Sequence, residues 1–172
     1  MNVEIRHADV RDAAGLVALA SVVAAEPEGW LIADGGWRSV SEERRYLRAV
    51  RRSDHAAVLV AERDGELVGR LSISRDPHPA SRHVADVGLL VGKPWRRQGI
   101  GRGLMVAAEE WARAHRIRKI ELHVFPHNVA GIGLYDSLGY VREGLRRGHY
   151  RRGDGFVDAI LMAYYVRNRD AR

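Results

Sequence analysis

Residues 93–104 read KPWRRQGIGRGL, and the reading of this stretch decides the fold. Gly99, Gly101 and Gly103 alternate behind Lys93, Arg96 and Arg97, and an apolar pattern of helical spacing follows. Glycine weakens a helix by about 1 kcal/mol relative to alanine, so glycines crowded at a helix start need a purpose. The first four N–H groups of a helix lack internal partners and point at whatever lies before them. Glycine lets anionic oxygens approach that backbone with no Cβ in the way, and arginine adds charge-assisted hydrogen bonds. The stretch therefore reads as a cradle for a pyrophosphate, against the plainer reading of a glycine-rich turn. Two common phosphate loops are excluded. A Walker loop needs Lys and then Ser or Thr after its second glycine, where Ile100 and Arg102 stand instead. A dinucleotide fingerprint needs G-x-G-x-x-G directly after a strand, and Gly99 lies eight residues past Val91.

Working outward, HVADVGLLV (83–91) reads as the strand that feeds the loop. Ahead of it, AAVLVAE and ELVGRLSIS flank Asp64-Gly65, a strong hairpin signal. Further back, Val3 to His7 reads as a strand, Asp9 caps a helix, and Ser39 with Glu42 has capping-box spacing before a second helix. After the loop, Ile100, Leu104, Ala107, Ala108 and Trp111 share a helix face. KIELHVF (119–125) is a strand, Asn128 to Leu138 a helix ended by Gly139, and strands follow near Tyr140–Glu143 and Phe156–Val166. The last strand is apolar on both faces, which predicts an interior place in the sheet. Residues 1–166 read as one domain and 167–172 as a frayed tail.

The composition is that of a globular domain, 46% apolar and 29% charged. Cysteine is absent, which removes disulfides, thiolate metal sites and a cysteine nucleophile. His123 and His127 stand four apart with Pro126 between them, so no helical metal pair and no metal site is expected. The N-terminus MNVEIRHADV has no apolar core, and no run is long enough to span a bilayer; a cytoplasmic address is expected, with no membrane partner. The net charge of +6 is carried almost wholly by arginine, Lys93 and Lys119 being the lysines. Those arginines are scattered and not interleaved with aromatics, which disfavours nucleic acid as a partner.

A second motif fixes the ligand. HNVAGIGLYDSLGY (127–140) sets Asn128 at a helix start and Tyr135 seven residues on, nearly two turns away on the same face. An amide and a phenol so placed suit the far end of a long ligand. On the residues alone, Tyr135 also reads as a core aromatic and Asn128 as an ordinary N-cap. RRQGIG (96–101) resembles the [Q/R]-x-x-G-x-[G/A] signature of the GNAT acetyltransferases. NVAGIGLYDSLGY resembles that family's N-x-x-A-x-x-L-Y-x-x-x-G-F, with Gly131 in the alanine slot and Tyr140 in the final aromatic one.

The resemblance implies an α+β fold: a central mixed, mostly antiparallel sheet of about seven strands flanked by about four helices. It implies acetyl-CoA as donor. Leu89, Leu90 and Val91 would offer backbone groups to the pantetheine arm. Arg96, Arg97, Gln98, Gly99, Ile100, Gly101 and Arg102 would wrap the pyrophosphate, chiefly through main-chain N–H groups. Asn128 would bond the pantetheine amide, and Tyr135 would lie near the thioester sulfur.

With no cysteine and no G-x-S-x-G elbow, direct attack of a neutral amine on the thioester is expected. Tyr135 is the candidate acid for the departing thiolate, and a backbone N–H near Val91 the oxyanion donor. Asp86 is the candidate base, with Glu121 or a water relay as alternatives and a plain solvated carboxylate as the bland one. Parity does not place Asp86, because a bulge in this strand would turn it to the other face. The tail LRRGHYRRGDGFVDAILMAYYV (145–166) resembles bacterial members that acetylate the α-amino group of amino acids or protein N-termini. The acceptor is then a primary amine: an amino acid, a small amine or a peptide N-terminus, in a pocket beside the 26–37 segment, where Trp30 and Trp37 would form a wall. A homodimer is admitted by analogy with the family. The reading set against all this is a non-catalytic acyl-CoA sensor on the same fold.

Overall fold

A computed structural model describes residues 3–32 and 37–167. In chain order the elements are β1 (Val3–His7), a 3-10 turn (Val10–Asp12), α1 (Ala13–Ala24), α2 (Val40–Arg51), β2 (Ala56–Arg63), β3 (Glu66–Arg75) and β4 (Val84–Val91). They continue with α3 (Ile100–Ala114), β5 (Lys119–Val124), α4 (Val129–Ser137), β6 (Val141–Arg152) and β7 (Gly155–Tyr165). The strands form one seven-stranded sheet ordered β1-β2-β3-β4-β5-β7-β6. β4 and β5 run parallel, while β1/β2, β5/β7 and β6/β7 are antiparallel. The mixed α+β class and the interior place of β7 follow the sequence reading. No helix of the described residues is long and apolar enough to cross a membrane.

The chain divides into two compact units, Met1–Ile73 with Leu89–Ala108, and Ser74–Gly88 with Glu109–Arg172. In the first, Leu16, Leu47, Val58 and Val60 form the core between α1, α2 and β2. The Ser39–Glu42 capping box forms as the spacing predicts. Asp9 does cap a helical start, but with Asp12 it caps the 3-10 turn, and the α-helix proper begins at Ala13. Arg6 explains the tighter turn: it holds Asp12 at 2.7 and 3.0 Å and Glu62 at 2.6 Å, which pins this corner to the sheet. Gly103 answers one of the opening questions, since a Cβ there would lie 2.6 Å from Ile5 Cδ1. It permits the close approach of α3 to β1.

In the second unit β5 alternates cleanly, with Ile120, Leu122 and Val124 buried and Lys119, Glu121 and His123 on the half-buried face. α4 starts at the predicted Asn128 cap, and Gly139 follows it in the left-handed region at φ +87°. The strand expected to end near Glu143 runs on to Arg152. Its second half, RRGHYRR, has no alternation to read; pairing with β7 makes it a strand, with register shifts at Arg142/Gly144 and Arg146/Tyr150. Of the expected tail, Arg167 is described and exposed, and 168–172 lie outside the described residues.

Candidate active site

The cradle belongs to the first unit. As β4 ends, the Gly92 amide donates to the Val68 carbonyl at 3.0 Å. The expected oxyanion donor near Val91 is therefore not Gly92. Arg96 then turns back: its Nε donates to the Val91 carbonyl at 3.0 Å, and its two Nη groups clasp Glu26 at 2.7 and 2.6 Å. Burial alone would push the Glu26 carboxyl up; the Arg96 hydrogen bonds and charge, helped by the Trp30 N–H, outweigh it and hold it below the usual range. The Arg96 guanidinium is thus engaged by protein, and it braces the loop where the sequence suggested a phosphate contact. Gln98 is engaged in the same way, donating to the Pro94 carbonyl at 2.9 Å and accepting from Arg63 at 2.9 Å.

With those side chains tied down, the loop backbone is fixed in an uncommon shape. Arg97 has φ +63° and Gly99 φ +82°. A Cβ built on Gly99 meets nothing within 4 Å, so glycine is needed there for conformation and the space in front of it is open. Left-handed residues in such a turn gather successive N–H groups into an anion-binding concavity, and α3 begins directly behind it. The residues present fit a diphosphate held by main chain.

α4 carries the second predicted pair. Asn128 Oδ1 accepts the Gly131 N–H at 2.9 Å, so the capping role is real. A Cβ at Gly131 would come within 2.8 Å of Asn128 Nδ2, which is why the alanine slot of the motif holds glycine beside this rotamer. Capping uses the oxygen, and the amide nitrogen keeps its donors. Tyr135 is 8% exposed, with its ring 5.8 Å from that of Tyr140. Burial pushes its phenol up to about 12, so it stays protonated at any physiological pH. Core aromatic and proton donor are compatible descriptions of it.

Asp86 and Glu121 stand side by side, being Cα partners on the parallel strands β4 and β5. Ala85 and Val87 are buried while Asp86 and Gly88 are exposed, and the next buried position is Leu90, so the alternation changes phase along the strand. Lys119 Nζ lies 2.6 Å from Glu121 and 2.7 Å from Glu143, which ties the alternative base into an ion pair. Asp86 has no hydrogen-bond or ion-pair partner among the described residues. Its side chain reaches solvent, but protein atoms crowd the carboxyl; that desolvation, then the charge of Glu121, pushes it up to about 6 against the opposing pull of Arg146.

Sequence reasoning missed what lies beyond. His123 Nδ1 and the Tyr150 hydroxyl are 2.5 Å apart, and His149 meets both rings edge-on at 5.2 and 4.7 Å. Burial, with the charges of Arg146 and His149, holds the His123 ring below its ordinary value. Strand parity put His123 beside Glu121 and was the available signal; Tyr150 sits in the bulged half of β6, where parity says nothing. Trp30 and Trp37 pack against Ala20, Val23 and Leu90.

Three comparisons complete the description. The chain matches the Acetyltransferase (GNAT) family over residues 24–140. It is 32% identical over 165 residues to the L-amino acid N-acetyltransferase AaaT of Escherichia coli strain K12, covering 92% of this chain and 95% of that protein. It is 36% identical over 75 residues to the [ribosomal protein bS18]-alanine N-acetyltransferase of the same strain, which is 44% of this chain and 51% of that one. Among solved structures, an acetyltransferase of the GNAT family from Streptococcus pneumoniae superposes with a TM-score of 0.87 at 33% identity, covering 96% of this chain and 100% of that one.

Proposed function

The chain belongs to the GNAT acetyltransferase family, and from that premise we propose that it acetylates the α-amino group of a free amino acid with acetyl-CoA as donor. One observation carries the chemistry: Asp86 is a carboxylate with no partner among the described residues, raised to about 6, beside a Glu121 that Lys119 holds in an ion pair. Acylating an amine requires a proton acceptor, and this carboxylate is ionised at neutral pH yet basic enough to take a proton.

The residue roles follow from the same reading. Main-chain groups of Leu89, Leu90 and Val91 hold the pantetheine arm. The N–H groups from Gln98 to Arg102 hold the diphosphate, with Arg96 bracing the loop through Glu26 and Arg97 lending charge. Asn128 donates from Nδ2 to a pantetheine amide. Asp86 takes a proton from the bound ammonium; the neutral amine attacks the acetyl carbonyl; the C–N bond forms and the C–S bond breaks. Tyr135 gives its hydroxyl proton to the leaving thiolate and is reprotonated through solvent, into which the nitrogen releases its second proton as the amide forms. The products are the N-acetyl amino acid and free coenzyme A. The likeness to the amino-acid enzyme runs nearly end to end, whereas the likeness to the ribosomal-protein enzyme covers half of that protein, and this favours the free amino acid over a peptide N-terminus. A cytoplasmic setting and a homodimeric state accompany the proposal on family likeness alone.

Thiol release from acetyl-CoA, followed across a panel of free amino acids, their amides and short peptides, tests it. Amine-dependent release is expected, fastest with free amino acids. Tyr135→Phe should lower kcat about 100-fold or more with acetyl-CoA binding retained, and unchanged turnover would remove Tyr135 from the mechanism. Tight coenzyme binding with no turnover of any amine would reinstate the sensor reading.

A further inference from the structure

The face of the second unit that carries Asp86 presents a separated pair of unlike charges. At one end stand Asp86 and Glu121, in register on β4 and β5. At the other is Arg146, on β6 opposite Ala159 of β7 and directly before a register shift. That shift is where β6 comes over to β5: the Tyr150 hydroxyl meets His123 at 2.5 Å, and His149 packs against both rings. Among the described residues no carboxylate contacts Arg146. Among the described residues its side-chain partner is the His149 Nε2 at 3.4 Å, a long contact between two exposed groups. Its charge is nevertheless felt by Asp86, His123 and Tyr150 alike. The glutamates that might have claimed it are elsewhere, since both Glu121 and Glu143 are bound by Lys119.

A carboxylate with no partner and a guanidinium with no carboxylate against it among the described residues, on one face with a His–Tyr pair joining β5 to β6, are the complement of a zwitterion. We propose that Arg146 is the residue that reads the α-carboxylate of the acceptor, while Asp86 receives its ammonium, so that the enzyme selects free α-amino acids and rejects amino-acid amides and peptide N-termini. A guanidinium offers a carboxylate two parallel N–H donors, a geometry that an amide oxygen cannot use equally. A peptide N-terminus presents an amide where the carboxylate should be, and leaves Arg146 unsatisfied. This inference rests on the acetyltransferase reading above and adds to it the residue that selects the acceptor.

The test compares steady-state acetylation of a free L-amino acid and of its α-amide, at saturating acetyl-CoA, in the wild type, Arg146→Gln and Arg146→Lys. Arg146 is exposed, so the variants are expected to fold; circular dichroism and a thermal shift with coenzyme A check this. Arg146→Gln should raise KM for the free amino acid about tenfold to a hundredfold, with kcat changed little and KM for the amide unmoved. Arg146→Lys should recover part of that loss, because it restores the charge without the fork. Equal effects on acid and amide, or no effect on either, would overturn the assignment of Arg146 and leave the acetyltransferase reading standing. A wild type that acetylates neither compound nor any peptide would overturn both.

Discussion

At the scale of single residues, Asp86 shows what a site costs. A carboxyl with an ordinary value of 3.8 is raised to about 6 by crowding and by Glu121. The folded chain therefore binds this proton more tightly than the unfolded chain does. The stability it contributes is complete below the unfolded value and is lost as pH rises through the folded one. Asp86→Asn should thus melt higher than wild type at pH 7.5, with the difference closing below about pH 4; thermal denaturation at the two pH values checks it. The same variant should lose the limb of the kcat/KM profile that inflects near 6 in the wild type. A wild-type profile with no inflection there would pass the base to a water relay. Asp86 was legible as a candidate because a carboxylate stood at the strand before the loop. Its face was not legible, because the burial pattern of β4 changes phase.

At the scale of elements, the loop between β4 and α3 works through its backbone. Gly99 holds φ +82° with open space before it, so a side chain there would meet no steric wall but would resist the conformation. Gly99→Val should raise KM for acetyl-CoA at least about tenfold and lower stability by about 1–2 kcal/mol. An unchanged KM would show that these amides do not hold the diphosphate. The loop, the Asn128 cap and the Ser39–Glu42 box could all be read from sequence because each depends on residues within a turn of one another. The outer half of β6 could not: its strand character comes from β7, through a ladder with two register shifts.

At the scale of the whole molecule, stability depends on a buried ion cluster that no motif announces. Glu43 of α2 is fully buried; it lies 2.8 Å from Arg38 and 3.4 Å from Arg70, whose own side chain is 5% exposed. Burial lowers the Arg70 value and the charge of Glu43 opposes that. Removing the carboxylate leaves a buried guanidinium without its counter-charge, a change that costs about 3–5 kcal/mol. Glu43→Ala should therefore shift the urea midpoint sharply downward with little change in slope. A shift under about 1 kcal/mol would mean that the cluster contributes little beyond packing. From sequence, Glu43 reads as one more charge on an amphipathic helix, the second acid after the cap, and nothing local marks it as buried.

The amino-acid order alone determined the succession of helices and strands, the interior place of β7, the glycine loop and the tyrosine on the helix after it. These follow from short-range rules of periodicity, capping and turn conformation. The partners of the charged groups were decided by the tertiary structure. Arg96 finds Glu26 across 70 residues, Lys119 gathers Glu121 and Glu143, and His123 meets Tyr150. A side chain's role as brace or as reactive group depends on which strands the fold lays side by side, and charge, unlike periodicity, carries no record of its partner in the chain that bears it.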